Sequence, residues 1–213
     1  MKIFDDLHAF IWQNYTQNNC NTYLIDGDVK ILIDPGHLQL FGHVIKNLDV
    51  MKIRLDEISL AIVTHGHPDH LEAVQRLEGK AMFALNQEEY LFITGLAGRY
   101  AHIPKPDFFV GDGNLTVGNH NFHVTVTPGH SPGSICLYWP DRKALFTGDL
   151  VFNRGIGRTD LPGGDGSLLK ESIQKIRKLD IELLLTGHGD IVVGKEAVEA
   201  NFQMIENYWF NYL

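Results

Sequence analysis

The heptapeptide THGHPDH, Thr64 to His70, follows directly on the apolar run Leu60-Ala61-Ile62-Val63. Such a run reads as a short buried strand, so the chain must place three imidazoles and a carboxylate at a strand end. Buried polar groups have to be hydrated, paired or bound to something, and this confines the chain to folds that collect partners for them at that place. The arrangement recurs: ILIDPGH from Ile31 is echoed by ALFTGDL from Ala144, and AIVTHGH from Ala61 by LLLTGHG from Leu183. The echo points to two similar halves contributing to one site. In α/β sheets ligands gather at the carboxyl ends of strands, where loops stand on a rigid scaffold.

The rest of the chain alternates strand-like and helix-like segments, the pattern of a layered α/β protein. Asn21 to Ile25 and Val29 to Ile33 flank an Asp26-Gly27 turn, a hairpin signal. A helix is expected from about Pro68 to Glu78, closed by Gly79, then a strand from Ala81 to Leu85. Asn86 with Glu89 three residues on reads as a capping box opening a helix that stops near Gly95 to Gly98. Phe108 to Phe146 returns to strands, with Phe122, Val124 and Val126 facing one way. The loop Asn153 to Gly166 is too long for a plain connector. A helix from about Ser167 to Leu179, a strand Leu183 to Leu185 and a last helix Glu196 to Phe210 follow, the last with Phe202, Ile205 and Trp209 on one face, more often core than interface.

Composition removes several function classes. With 213 residues the chain suits one domain, 1–213, large enough to bury a core. A formal charge of -8, with no basic block, would repel a nucleic-acid backbone. The start MKIFDDLHAFIW lacks a signal-peptide pattern and no stretch is long enough to span a bilayer, so no membrane partner and a cytoplasmic location are expected. Cys20 and Cys136 form no Cys-x-x-Cys pair and read as small core residues. No oligomeric state follows from the sequence; the aromatic tail Tyr208, Trp209, Phe210 and Tyr212 either caps the molecule or meets a second chain.

An isolated loop histidine is ordinarily just that. Here His65, His67, Asp69, His70, His130, Asp149 and His188 all stand at apparent strand ends, the last three in glycine-rich turns where backbone can pack around a bound group. Imidazole and carboxylate suit zinc, and a set without Cys suits iron or manganese equally. The number of candidates is enough for two ions.

The order His-x-His-x-Asp-His, then Gly-His, Gly-Asp and Gly-His, each after an apolar strand, resembles the metallo-β-lactamase fold superfamily from about Tyr23 to Val193. The resemblance implies an αββα sandwich of two mixed β-sheets flanked by helices, with a dinuclear site at one edge. It implies one ion on His65, His67 and His130, a second on Asp69, His70 and His188, and Asp149 bridging both, with two divalent metal ions, zinc first, as cofactors. Asp34 matches the remaining motif as a carboxylate accepting an imidazole N–H or bracing a ligand loop. GDLVFNRGIGRTDLPGGD is similar to the glyoxalase II branch in its short form. The β-lactamases of the family carry Cys where Asp149 stands, the nucleic-acid-processing members carry basic surfaces and added domains, and the flavin-linked diiron reductases replace an early ligand with Glu. The implied activity is hydrolysis of a small-molecule thioester of the hydroxyacylglutathione type.

Two metals about 3.5 to 4 Å apart can share a water and hold it as hydroxide at neutral pH, so no Ser or Cys nucleophile is needed. Asp69 and Asp149 are then the catalytic carboxylates, Asp69 orienting the attacking oxygen. The rivals are a mononuclear iron persulfide dioxygenase, a lactone or phosphoester hydrolase, and a non-catalytic module with structural metal. Arg158 reads first as an ion pair with Asp160 shaping the loop, and second as a substrate-carboxylate fork. Tyr90, Phe92, Tyr100 and His102 line an entrance or join the core. Lys195 is the only cation after His188, which puts the glutathione subsite of the longer enzymes in question. Leu71-Glu72-Ala73 stands where relatives have small residues, narrowing the pocket floor or tightening helix packing.

Overall fold

The computed structural model describes all 213 residues except 15, 97, 99 and 101. Among the described residues the strands form two six-stranded sheets and one two-stranded ribbon. The first runs in chain order through β1 (Leu7–Phe10), β2 (Thr22–Asp26), β3 (Lys30–Ile33), β4 (Ile58–Ile62), β5 (Met82–Asn86) and β6 (Phe108–Val110). Its first three strands are antiparallel and β3 to β6 are parallel. The parallel half is connected by α1 (Gly42–Met51), α2 (Pro68–Leu71) and α3 (Gln87–Gly95), as parallel crossovers require.

The second sheet has the order β14 (Val192–Val193), β13 (Leu183–Thr186), β10 (Ala144–Gly148), β9 (Ile135–Trp139), β8 (His120–Val126), β7 (Gly113–Val117). All its pairs are antiparallel except β10 with β13. A small ribbon, β11 (Val151–Phe152) with β12 (Gly155–Ile156), lies within the loop after β10, and α4 (Gly166–Ile176) and α5 (Lys195–Tyr208) follow. The sequence echo now has a structural meaning. Its four segments are β3 and β4, a parallel pair in one sheet, and β10 and β13, the parallel pair in the other.

Alternation along each strand sorts its side chains between two layers. Tyr23, Ile25, Ile31, Ile33, Leu60 and Ile62 from the first sheet meet Phe122, Val124, Leu137, Trp139, Phe146 and Leu185 from the second in a shared core. Their neighbours along the chain point outward: Leu24, Leu32 and Ala61 pack on Val44 and Leu48 of α1. On the other side Cys136, Leu145 and Leu184 pack on Leu169, Ile173 and Ile176 of α4 and on Val198, Phe202 and Ile205 of α5. The result is the helix-sheet-sheet-helix sandwich. Trp209 is partly buried against this last layer, and Cys20 and Cys136 are free and buried. Among the described residues no helix is long and apolar enough to cross a membrane.

Two expectations are corrected. The helix expected to Glu78 is α-helical only to Leu71 and continues as a 3₁₀ segment, Glu72–Arg76. The backbone explains this, because the Asp69 and His70 carbonyls accept from Cys20 N and Gly36 N while Ala73 N donates to Gly36 O, so the next turn is drawn off its own ladder. Asn86 caps α3 by accepting from Glu88 N and Glu89 N, but Glu89 does not complete the box; its carboxylate is turned elsewhere. The helix ends at Gly95; in the expected stop region up to Gly98, residue 97 lies outside the described residues.

Candidate metal centre

Every candidate ligand lies just beyond the carboxyl end of a strand. His65, His67, Asp69 and His70 follow β4, His130 follows β8, Asp149 follows β10 and His188 follows β13. His67 is the N-cap residue of α2 with extended backbone, and Pro68 in the first turn starts the helix with a fixed φ, bringing Asp69 and His70 round towards His188. His65, His70, His130, Asp69 and Asp149 are all buried.

The rings and carboxylates converge. His67 Nδ1 lies 3.0 Å from His65 Nε2 and 2.8 Å from His130 Nε2. His188 Nε2 lies 3.3 Å from His70 Nε2 and 3.2 Å from Asp69 Oδ2. Between these groups stands Asp149, with Oδ1 3.1 Å from His70 Nε2 and Oδ2 3.3 Å from His188 Nε2 and 3.5 Å from His130 Nε2. Potential ligand atoms fall into three overlapping sets: His65, His67, His130; His65, His70, Asp149; and Asp69, His70, His188.

These contacts fit a cation better than they fit hydrogen bonds. Two ligands about 2.0 to 2.1 Å from a tetrahedral ion stand roughly 3.3 Å apart, close to the spacings seen. Asp149 Oδ1 is buried and accepts no hydrogen bond. A Cβ on Gly187 would fall 2.2 Å from that oxygen and 2.8 Å from His70 Cε1, so only glycine lets the β13 loop close over the centre. Donors of N and O alone suit a borderline divalent ion.

Protonation is set by burial and by neighbours. Burial, then the charge of His70 and His67, pushes His65 well below the usual imidazole range; burial and His130 bring His67 down to about 4. Both therefore offer lone pairs at neutral pH, as ligation requires. Burial works against the charged forms of His70 and His188 as well, but Asp149 with Asp34 outweighs it at His70, and Asp149 with Asp69 raises His188 to about 9. Burial would raise the two carboxylates; His188 and His70 outweigh it, lowering Asp69 to about 2 and Asp149 well below the ordinary range.

Supports surround the cluster. Asp34 faces His70 Nδ1 at 2.9 Å and accepts from Thr64 N and Thr64 Oγ1, both at 2.8 Å, so it does both things expected of it. It does so at φ 51, a left-handed conformation costly for a residue with a side chain. His130 Nδ1 is held by the Arg158 carbonyl at 2.7 Å, while the Arg158 guanidinium grips both oxygens of Asp160. Three residues were not read as supports from sequence. Asn18 donates to Asp69 Oδ2 at 2.8 Å, and Asn21 donates to the Thr186 and Gly189 carbonyls that flank His188. Glu89, buried, accepts from Gly66 N, Ser131 Oγ and Gly133 N. The available signal for the asparagines was a run of small polar residues, NNCNT, leading into a buried strand.

The cluster opens into a cavity of ≈ 690 Å³. Phe92, Ile93, Leu96 and Leu161 give it an apolar wall, and Gln17, Asn18, His37 and Gln39 a polar one. Phe92 and Tyr100 line it, whereas Tyr90 packs on Phe109 and His102 is exposed. Leu71 and Ala73 are buried in packing clusters and Glu72 Oε2 lies 2.6 Å from His37 Nδ1, so this tripeptide tightens packing. Lys195 pairs with Asp180 on the surface and does not reach the cavity.

The family model described as the metallo-β-lactamase superfamily matches residues 15–188. The chain belongs to the metallo-β-lactamase superfamily. Within that superfamily it is 32% identical over 197 residues, 84% of this chain and 90% of the relative, to a protein of Haemophilus influenzae named hydroxyacylglutathione hydrolase GloC. Among solved structures it is similar to one titled BLEG-1 B3 metallo-beta-lactamase, with a TM-score of 0.76, 29% identity, and 96% and 99% of the two chains covered. Another, titled TTHA1623 in a di-iron-bound form, has a TM-score of 0.70 and 28% identity over 91% of this chain and 94% of that one. The superfamily is thus shown, and the His/Asp cluster at its sheet edges is a candidate metal centre.

Proposed function

We propose that the protein is a metal-dependent hydrolase of small thioesters of the hydroxyacylglutathione type, acting in the cytoplasm with residues 1–213 as one catalytic domain. The observation that carries this reading is the convergence of seven N and O donors with Asp149 between two groups of three. The similarity to GloC supports the substrate class. His65, His67 and His130 would hold one ion, Asp69, His70 and His188 the other, and Asp149 would touch both. Zinc is the first choice for the pair.

When bound, such ions supply an activated water and a Lewis acid for the carbonyl oxygen. The chain supplies position. Asp69 lines the cavity with one carboxylate oxygen fixed by Asn18 and His188, and from there it can accept a hydrogen bond from the attacking water. The Arg158 carbonyl fixes the His130 ring, and Asp34 fixes that of His70, so neither ring must reorganise as charge develops. The apolar wall shields the reacting carbonyl from bulk water and suits a small acyl group. A formal charge of -8 disfavours polyanions, and we read a small molecule as the substrate, with neither nucleic acid nor a membrane surface as a partner.

The test is a metal analysis of protein purified without added ions, joined to a side-by-side panel of thioester, lactone, phosphodiester and persulfide substrates. The structure titled a β-lactamase at 29% identity places a β-lactam in the same panel. Two ions per chain and turnover of a thioester are expected. Inactivity on every thioester rejects the reading, and a single iron with thiol-dependent oxygen uptake replaces it with persulfide oxidation.

A further inference from the structure

Among the described residues Asp34, Asp69, Glu89 and Asp149 are the buried acids. Three belong to the cluster or hold one of its rings. Glu89 does neither, and among the described residues no lysine or arginine pairs with it in an ion pair. A carboxylate taken out of water needs compensation, and Glu89 finds it in three donors. Oε1 accepts from Gly66 N at 2.7 Å and from Ser131 Oγ, and Oε2 accepts from Gly133 N at 2.8 Å.

The identity of those donors is the point. Gly66 lies between His65 and His67, and Ser131 and Gly133 lie just past His130. One carboxylate on α3 therefore ties together the two loops that carry His65, His67 and His130, and none of its hydrogen bonds reaches Asp69, His70 or His188. The fit is close. A Cβ on Gly66 would sit 2.8 Å from Glu89 Oε1 and 2.4 Å from Ile93 Cγ2, and one on Gly133 would sit 2.3 Å from Glu89 N. Asp69 and His188 have separate anchors, in Asn18 and Asn21.

We propose that Glu89 is a positioning residue for the His65, His67 and His130 set alone: it fixes the spacing of the two loops and puts a buried negative charge behind the ion they would hold. The proposal rests on the ligand reading above. It implies that the two halves of the centre are tuned separately, by Glu89 on one side and by the asparagine loop on the other.

The experiment is a cobalt(II) titration of the metal-free full-length protein, followed by absorption spectra, with Glu89→Gln, Ser131→Ala, His67→Ala and Asp69→Ala beside the wild type. Glu89→Gln keeps the volume but turns an N–H group towards a backbone N–H. It is expected to weaken one of the two ions about 10- to 100-fold, the usual effect of removing a ligand's support, and to change the spectrum of that ion only. The affected ion should be the one that His67→Ala removes and not the one that Asp69→Ala removes. Ser131→Ala, which keeps the carboxylate and one donor fewer, should weaken the same ion less and serves if Glu89→Gln does not fold. Wild-type affinity and spectrum in both variants, or equal weakening of both ions in step with a lower melting temperature, overturns the proposal. If His67→Ala and Asp69→Ala both leave two ions bound, the ligand reading itself has failed.

Discussion

Asp34 and His70 face each other across 2.9 Å in the closed interior of the protein, joined from positions 36 residues apart. Asp34 pays for this with a left-handed backbone, which only the surrounding hydrogen bonds maintain. Replacing it leaves Thr64 N and one ring nitrogen of His70 without a partner in a dry environment. Asp34→Ala is expected to lower metal affinity by about 10- to 100-fold and to reduce stability by roughly 1–3 kcal/mol, checked by metal content after dialysis and by urea unfolding. Wild-type metal content would show that the contact does not orient the ring.

Gly187 should tolerate no side chain. Its added Cβ would collide with Asp149 Oδ1 and with the edge of His70, both fixed by neighbours. Gly187→Ala is therefore expected to cost about 1–3 kcal/mol through overpacking and to abolish tight binding of at least one ion, while the far-ultraviolet circular dichroism spectrum keeps its native shape. An alanine variant with two ions and full turnover would contradict the closure of this loop over the centre.

Phe202 tests the outer layer. It is buried against Ile173 and Leu184 in the layer that α5 seals, whereas Tyr208 at the end of that helix is 53% exposed. Phe202→Ala should cost about 3–5 kcal/mol and Tyr208→Ala no more than about 0.5 kcal/mol, measured by denaturant midpoints. Equal effects would mean that the helix is not docked as described.

The Cys136 thiol gives a pH dependence whose sign can be worked out. Burial, only partly offset by the Thr127 contact, pushes it up to about 12, against 9.0 for a free thiol. Below pH 9 both folded and unfolded chains hold the proton and the contribution is complete. Between pH 9 and 12 the unfolded chain loses a proton that the folded protein keeps, so stability falls as pH rises. The advantage of wild type over Cys136→Ala should shrink by on the order of 1 kcal/mol per pH unit in that window, read from urea unfolding at pH 8, 10 and 11. A gap that stays constant would refute the buried thiol.

What the sequence revealed, and what it hid, divide by the range of the interactions. The ligand candidates were legible because each follows an apolar run, and a strand end is a local feature; the echo between ILIDPGH and ALFTGDL was legible because two strand pairs repeat one solution. The Arg158 and Asp160 pair, two residues apart, was legible for the same reason. Glu89 was misread because its spacing from Asn86 mimics a local motif, while its actual partners lie 23 and more residues away. The short α2 was hidden likewise, since Cys20 and Gly36 intercept its carbonyls from other parts of the chain.

The two sheets each supply part of the cluster, and Tyr23 bridges them, stacking edge-on against Phe146 and donating its hydroxyl to the Thr186 carbonyl two residues before His188. The apolar filling between the sheets is thus coupled, through this one ring, to the end of β13. A change of one methylene deep in the sandwich would therefore reach, through one phenol ring, the strand end from which His188 projects.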